Sequence, residues 1–394
     1  MPLARRATLI EPSETLAITA KAKALRAAGK SVINLAAGEP DFDTPPHITA
    51  AAKQAIDDGK TKYTPASGLP ELREAVVRRL SEDRRLSYTP QQVIITCGAK
   101  HAIANALQVL CQEGDEVLIP SPYWVSYPPM VHLTGAAPKW LMTTQATGFK
   151  ITPQQLREAL TAQSRVLILN SPSNPTGSVY SRQELEALGE VVLSHPTLLV
   201  LSDEIYEHLV FAPHQHHSIA ALGRPLYQRS IVVSGVSKTY AMTGWRIGYL
   251  AASQEIADGV DRVQSHTTSN PASISQYAAL AALTGPQRDV IQPIMEEFTR
   301  RRDLMVERVA RIPGWSCRLP GGAFYVFCNI AALQQNAAAV GDQLLDQVHV
   351  AAVPGNSFGS PAHLRLSFAT DQASIVEGMT RIERWMKERA CLTS

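Results

Sequence analysis

Four short stretches carry side chains that could do chemistry. In Ser234-Gly235-Val236-Ser237-Lys238 a lysine follows an apolar run and is bracketed by small residues. A lysine on its own is normally a solvated surface residue. One enclosed at a strand end has its pKa lowered from about 10.4, which makes its amine a nucleophile toward an aldehyde. Ser202-Asp203-Glu204-Ile205-Tyr206 puts an acid at the end of another apolar run, where a helix cap is the plain alternative. Gly98-Ala99-Lys100 opens an apolar helical stretch. The free N–H groups and dipole of a helix start suit an anion there. In His363-Leu364-Arg365-Leu366-Ser367-Phe368 an arginine sits inside an apolar strand. If buried it needs a partner; a surface salt bridge is the alternative.

The elements that must position these groups follow from the apolar patterning. Short apolar runs at 93–96, 116–119, 166–169, 198–201, 231–233 and 247–251 read as strands, with helical stretches such as 183–193 between them. Near-continuous apolar runs predict strands covered on both faces, hence a largely parallel sheet with crossover helices. Several runs end in polar clusters: Cys97 to Lys100, Asn170 to Gly177, Ser202 to Glu204 and Ser234 to Lys238. In open α/β sheets ligands bind beyond the carboxyl ends of the strands, so these clusters are expected to line one cleft. The last third changes character. A charged helix is expected over 293–311, then strands at 323–328 and 363–368. The reading is therefore an α/β large domain over 46–283 and a smaller α+β domain over 284–394, with residues 1–45 packing against the latter.

Composition narrows the class. The chain has 394 residues, 45% apolar and 18% charged, with a formal net charge of +2. That balance suits a globular enzyme and offers no basic patch for nucleic acid or an anionic membrane. Five scattered cysteines argue against a disulfide framework and against a zinc site. The basic residues from Met1 to Arg6 are not followed by an apolar stretch of signal-peptide length. A cytoplasmic location is expected.

The stretch from Gly235 to Gly248, Gly-Val-Ser-Lys-Thr-Tyr-Ala-Met-Thr-Gly-Trp-Arg-Ile-Gly, resembles the pyridoxal 5′-phosphate (PLP) attachment signature of class I/II aminotransferases. The likeness extends from about Pro12 to the end of the chain, is nearest to bacterial aspartate aminotransferases, and keeps the family's order of motifs. It implies the type I fold of PLP transferases, with a mostly parallel seven-stranded sheet between helices. It assigns Lys238 to the Schiff base and the proton transfer, and Asp203 to the ring nitrogen. Tyr206 and Asn174 (the latter in a segment that is by chemistry alone a turn) fall to the ring oxygen. Arg246, the Gly98 and Ala99 amides, and Ser237 fall to the cofactor and its phosphate. By the same resemblance Trp124 stacks on the ring, although a core tryptophan is the ordinary reading. Gly38 lies beside the substrate carboxylate, Arg365 grips it, and Asn174 and Trp124 border the substrate. Lys100, otherwise a solvated first-turn residue beside the cofactor, matches a lysine that reaches a distal carboxylate. Tyr63 matches a tyrosine that acts on the phosphate of the neighbouring subunit, which implies a homodimer with shared sites.

The resulting expectation is a double-displacement transfer of an amino group from L-aspartate to 2-oxoglutarate. An aromatic or prephenate aminotransferase and a PLP-dependent β-lyase are the rival readings. A nicotinamide dehydrogenase is disfavoured because no G-x-G-x-x-G follows a strand.

Overall fold

The computed structural model describes residues 5–12 and 14–393. Twelve strands run in chain order: β1 (Ile33–Asn34), β2 (Val93–Thr96), β3 (Glu116–Ser121), β4 (Ala137–Met142), β5 (Ser164–Asn170), β6 (Leu199–Asp203), β7 (Ser230–Gly235), β8 (Gly248–Ala251), β9 (Tyr325–Asn329), β10 (Val350–Ala351), β11 (Val353–Pro354) and β12 (His363–Ser367). Seven of them form one sheet in the order β2-β8-β7-β6-β5-β3-β4. β7 is buried along its whole length and β5 over its apolar centre, Val166 to Leu169, because these residues are apolar on both faces. One face packs on the helices Ala99–Leu110 and Gln254–Thr267, through residues such as Ile103, Ala106 and Val260. The other packs on Arg182–Ser194 through Leu185, Leu188 and Val192. That helix starts where Ser181 and Glu184 form a reciprocal capping box, satisfying amides the first turn leaves open.

The register explains why a site forms at one end of this sheet. Asn170 of β5 stands opposite Asp203 of β6, and Asp203 opposite Val233 of β7. The carboxyl ends of three strands are thus level. β8 runs antiparallel to both β7 and β2, so its first residue, Gly248, lies at the same end, beside Gly235 and Thr96. This places the approach to Gly98 next to the Lys238 loop.

β9, β11 and β12 form a three-stranded antiparallel sheet, while β1 pairs in parallel with β10. A second apolar core gathers β9 and β12 under the helices Gln287–Ala310 and Gln372–Thr393, with Phe298, Phe324, Leu366 and Ile382 at its centre.

Three local readings needed correction. β4 has no clean apolar run and was not foreseen; it is the sheet's edge strand, with Trp140 and Met142 exposed. The charged helix starts at Gln287 rather than 293, and Pro293 lies inside it. A proline lacks the N–H that a helix interior uses, which made it look like a start. The strand expected from 323 begins at Tyr325, because Ala323 has a left-handed backbone (φ 58°).

Candidate active site

A cavity of about 410 Å³ opens between the two sheets. All the candidate residues except Gly98 and Tyr63 line it. Gly98 lies directly behind the wall: a Cβ there would stand 2.6 Å from the Arg246 guanidinium. Tyr63 does not line the cavity and is 91% exposed.

Lys238 follows β7 and turns its amine into the cavity, donating to the Gly38 carbonyl at 2.6 Å. Lys238 is half-buried and lines the cavity. Burial, reinforced by the nearby Arg365 and Arg246 charges and opposed by Glu39, lowers its pKa to about 8. An amine so placed is deprotonated more readily than a surface lysine.

Asp203 and Glu204 are neighbours with opposite environments, since successive strand residues face opposite ways. Asp203 faces the cavity, is 3% exposed, and accepts from Tyr127 Oη at 2.6 Å. Burial pushes its pKa up to about 6 although the Tyr127 hydrogen bond opposes the shift. Glu204 faces away, into an ion pair with Arg84 at 2.9 Å and contacts with His216 and Ser218. Burial would raise it too, but Arg84 and His216 hold it down at about 2. Asp203 is therefore a buried acid that lacks a full countercharge, while Glu204 already has one.

At the opposite wall, Arg365 rises from β12. Its Nη1 donates to Asn174 Oδ1 at 3.0 Å and its Nη2 to the Ala36 carbonyl at 2.9 Å. The guanidinium lies 4.3 Å from the centre of the Tyr325 ring, and its Nε is buried with no hydrogen-bond partner among the described residues. The Asn174 backbone is anchored in turn, its main-chain N–H donating to Asn170 Oδ1 at 2.8 Å. Tyr206 and Tyr325 share a hydroxyl–hydroxyl hydrogen bond of 3.0 Å, and burial holds the Tyr206 phenol protonated.

The helix Ala99–Leu110 begins at Gly98 (φ 87°) with no side-chain cap, so its first amides are free to face an anion. Arg246, itself left-handed at φ 57°, donates to the Thr243 carbonyl at 2.8 Å and the Cys97 carbonyl at 3.3 Å beside that helix start. The approach depends on glycine. A Cβ on Gly248 would stand 2.3 Å from the Ala99 backbone nitrogen. Trp124 meets Tyr127 edge to face with ring centres 5.3 Å apart, and Lys100 lies 5.0 Å over the Trp124 ring.

This donor set fits PLP. An uncapped helix start with an adjoining guanidinium suits a phosphate. A buried carboxylic acid with a raised pKa suits a cationic ring nitrogen, and a lysine lowered to about 8 suits an aldehyde.

Sequence reasoning missed several wall residues. Tyr325 read as core because it stands in an apolar strand. Thr15, Leu16 and Thr19 line the mouth from the helix Glu14–Ala27. Their spacing puts them on one helix face, but nothing in it marks that face as facing a ligand. Asn170 lay within a flagged cluster without a part of its own.

Fold and site together define a transaminase of the α/β type. The family model described as "Aminotransferase class I and II" matches residues 30–382, and the chain belongs to that family. Its relatives are specific. The aspartate aminotransferase of Geobacillus stearothermophilus is 48% identical over 99% of this chain and 100% of its own length. The aspartate/prephenate aminotransferase of Cereibacter sphaeroides is 46% identical, over 95% of this chain and 96% of its own. Among solved structures, the aspartate aminotransferase of Thermus thermophilus with maleate superposes with a TM-score of 0.94 at 40% identity, covering 98% of this chain and 99% of that one.

Proposed function

We propose that this chain transfers the amino group of L-aspartate to 2-oxoglutarate with PLP as cofactor. The observation that carries this reading is the cavity itself, which sets Lys238, Asp203 and Arg365 around one space. PLP, when bound, supplies an aldehyde for the substrate amine and a ring that takes up the electron pair left when the Cα proton departs.

The chain's own groups do the rest. The Gly98 and Ala99 amides, Ser237 and Arg246 hold the phosphate end. Asp203 supplies the buried negative charge that a protonated ring nitrogen needs. Tyr206 and Asn174 would hold the ring through hydrogen-bond donors, and Trp124 would pack against it. Arg365, beside Gly38, would pair with the substrate α-carboxylate and orient the substrate. Lys238, with its amine lowered to about 8, is placed to act as general base toward the substrate Cα proton and then as the acid that gives it back. Residues 284–394 together with 1–45 act as the smaller, closing domain over residues 46–283.

Aspartate is favoured because the cavity wall carries Lys100 besides Arg365, while the other two basic residues there, Lys238 and Arg246, fall to the cofactor. Two carboxylates on the substrate match the two remaining cations. Prephenate is the second reading. It too carries two carboxylates, and a relative is named for it.

An absorbance spectrum tests the proposal. L-Aspartate should convert the PLP band to that of the pyridoxamine form, and 2-oxoglutarate should restore it. A band that only other amino acids convert removes the aspartate assignment. Conversion that survives Lys238→Ala at the parental rate removes the mechanism.

A further inference from the structure

We propose that Cys317 and Cys328, on the far side of the small sheet from the cavity, form a dithiol that closes to a cross-strand disulfide when exposed to a hydroperoxide. Ser316 and Asn329 form an isolated antiparallel bridge and exchange both backbone hydrogen bonds, Ser316 N to Asn329 O at 3.1 Å and Asn329 N to Ser316 O at 2.7 Å. One step inward, Cys317 and Cys328 take the next position of that ladder, which in antiparallel geometry is a non-hydrogen-bonded pair. Such a pair stands about 4.5 Å apart at Cα, inside the roughly 4.4–6.8 Å that a disulfide spans. Both cysteines are free thiols.

The two sulfurs are not equivalent. Cys328 is fully buried in β9, whereas Cys317 is partly exposed at the edge of the same core. The neighbouring Cys328 thiol lowers the Cys317 pKa, while burial holds Cys328 protonated. Cys317 is thus the attacking sulfur and Cys328 the resolving one. The Cys317 thiolate attacks one peroxide oxygen, the O–O bond breaks, and hydroxide leaves to become water. Cys317 is oxidised by two electrons to the sulfenic acid. The Cys328 sulfur then attacks Cys317, the S–S bond forms, the S–O bond breaks, and the Cys328 proton leaves with the hydroxide as a second water.

Cys97 and Cys111 stand outside this bridge. Burial raises both Cys97 and Cys111, the latter to about 12. They serve as internal controls.

The test treats the PLP-loaded protein with hydrogen peroxide, alkylates the remaining thiols, and digests with trypsin. Cleavage at Arg318 puts the two cysteines on separate peptides. The expected result is one cross-linked pair of peptides, two hydrogens lighter than their sum, lost on reduction with dithiothreitol. Amino transfer should persist, since neither sulfur lines the cavity. In Cys328→Ser, dimedone should label Cys317. The proposal is overturned if Cys317 and Cys328 are both recovered alkylated while Cys97 oxidises, if Cys317 passes to the sulfinic acid with Cys328 still alkylated, or if Cys328→Ser takes up no dimedone.

Discussion

Arg365 shows how a single side chain is prepared for a carboxylate. Asn174 and the Ala36 carbonyl hold two of its nitrogens, and its stacking on Tyr325 fixes the plane of the fork. Arg365→Lys keeps the charge but discards the fork. A hydrogen bond to a charged group contributes about 1.5–3 kcal/mol, so KM for L-aspartate should rise roughly ten- to a hundredfold, with a smaller change in kcat. Steady-state kinetics check this; an unchanged KM would place the carboxylate elsewhere. Asp203 makes a prediction about pH. Its pKa rises from 3.8 to about 6 on folding, and at about 1.36 kcal/mol per unit the ionised form costs on the order of 3 kcal/mol. The folded state binds more protons than the unfolded state between those values, so this contribution to stability is lost as pH rises from about 4 through 6. For Lys238, whose pKa is depressed, the contribution is lost as pH falls through about 8. In protein freed of PLP, urea titrations of Asp203→Asn should lack the loss between pH 4 and 6 and should exceed the parent in stability at pH 7. Parallel pH profiles for the two proteins would contradict the buried-acid reading.

At the scale of elements, the site depends on how closely β8 approaches the helix Ala99–Leu110. Gly248 has no room for a side chain, because the first amides of that helix occupy the space. Overpacking of this kind costs about 1–3 kcal/mol. Gly248→Ala should lower the urea midpoint and, by displacing the helix start, weaken PLP retention on dialysis. A variant with parental stability and retention would show that the backbone there can give way. Much of this was legible beforehand. Lys238 and Arg246 stand in a signature that restricts several residue types at once, Asp203 stands in a second motif at a strand end, and the apolar runs located six of the seven strands of the large sheet. β4 escaped because an edge strand need not be apolar. Tyr325 escaped because a ring that ends in the cavity and a ring that ends in the core look alike in a run such as Ala323-Phe324-Tyr325-Val326-Phe327. Which face of the helix Glu14–Ala27 borders the cavity is settled only by tertiary contact.

At the scale of the whole molecule, Tyr63 is 91% exposed and Ile56 is exposed too. Large exposed side chains of this kind are what a shared interface would cover. In the homodimer reading the Tyr63 hydroxyl reaches the partner's phosphate. Sedimentation should then give a dimer, and Tyr63→Phe should raise the PLP dissociation constant roughly tenfold or more through the loss of one hydrogen bond to a charged group. A monomer that transaminates at the full rate would exclude that role. Among the described residues, no helix is long and apolar enough to cross a membrane.

The hydrogen bond from Arg365 to Asn174 joins β12 of the small sheet to the turn that follows β5 of the large one. A dicarboxylate seated on Arg365 and reaching Lys100 would touch both halves at once, since Lys100 belongs to the helix after β2. By thermodynamic reciprocity, whatever free energy the ligand gains from both halves being together it returns as reluctance of the halves to part. Maleate should therefore slow hydrogen–deuterium exchange around residues 363–367 and 171–177 together, and Asn174→Ala should uncouple the two regions. In this respect the substrate is a removable part of the protein's own tertiary structure.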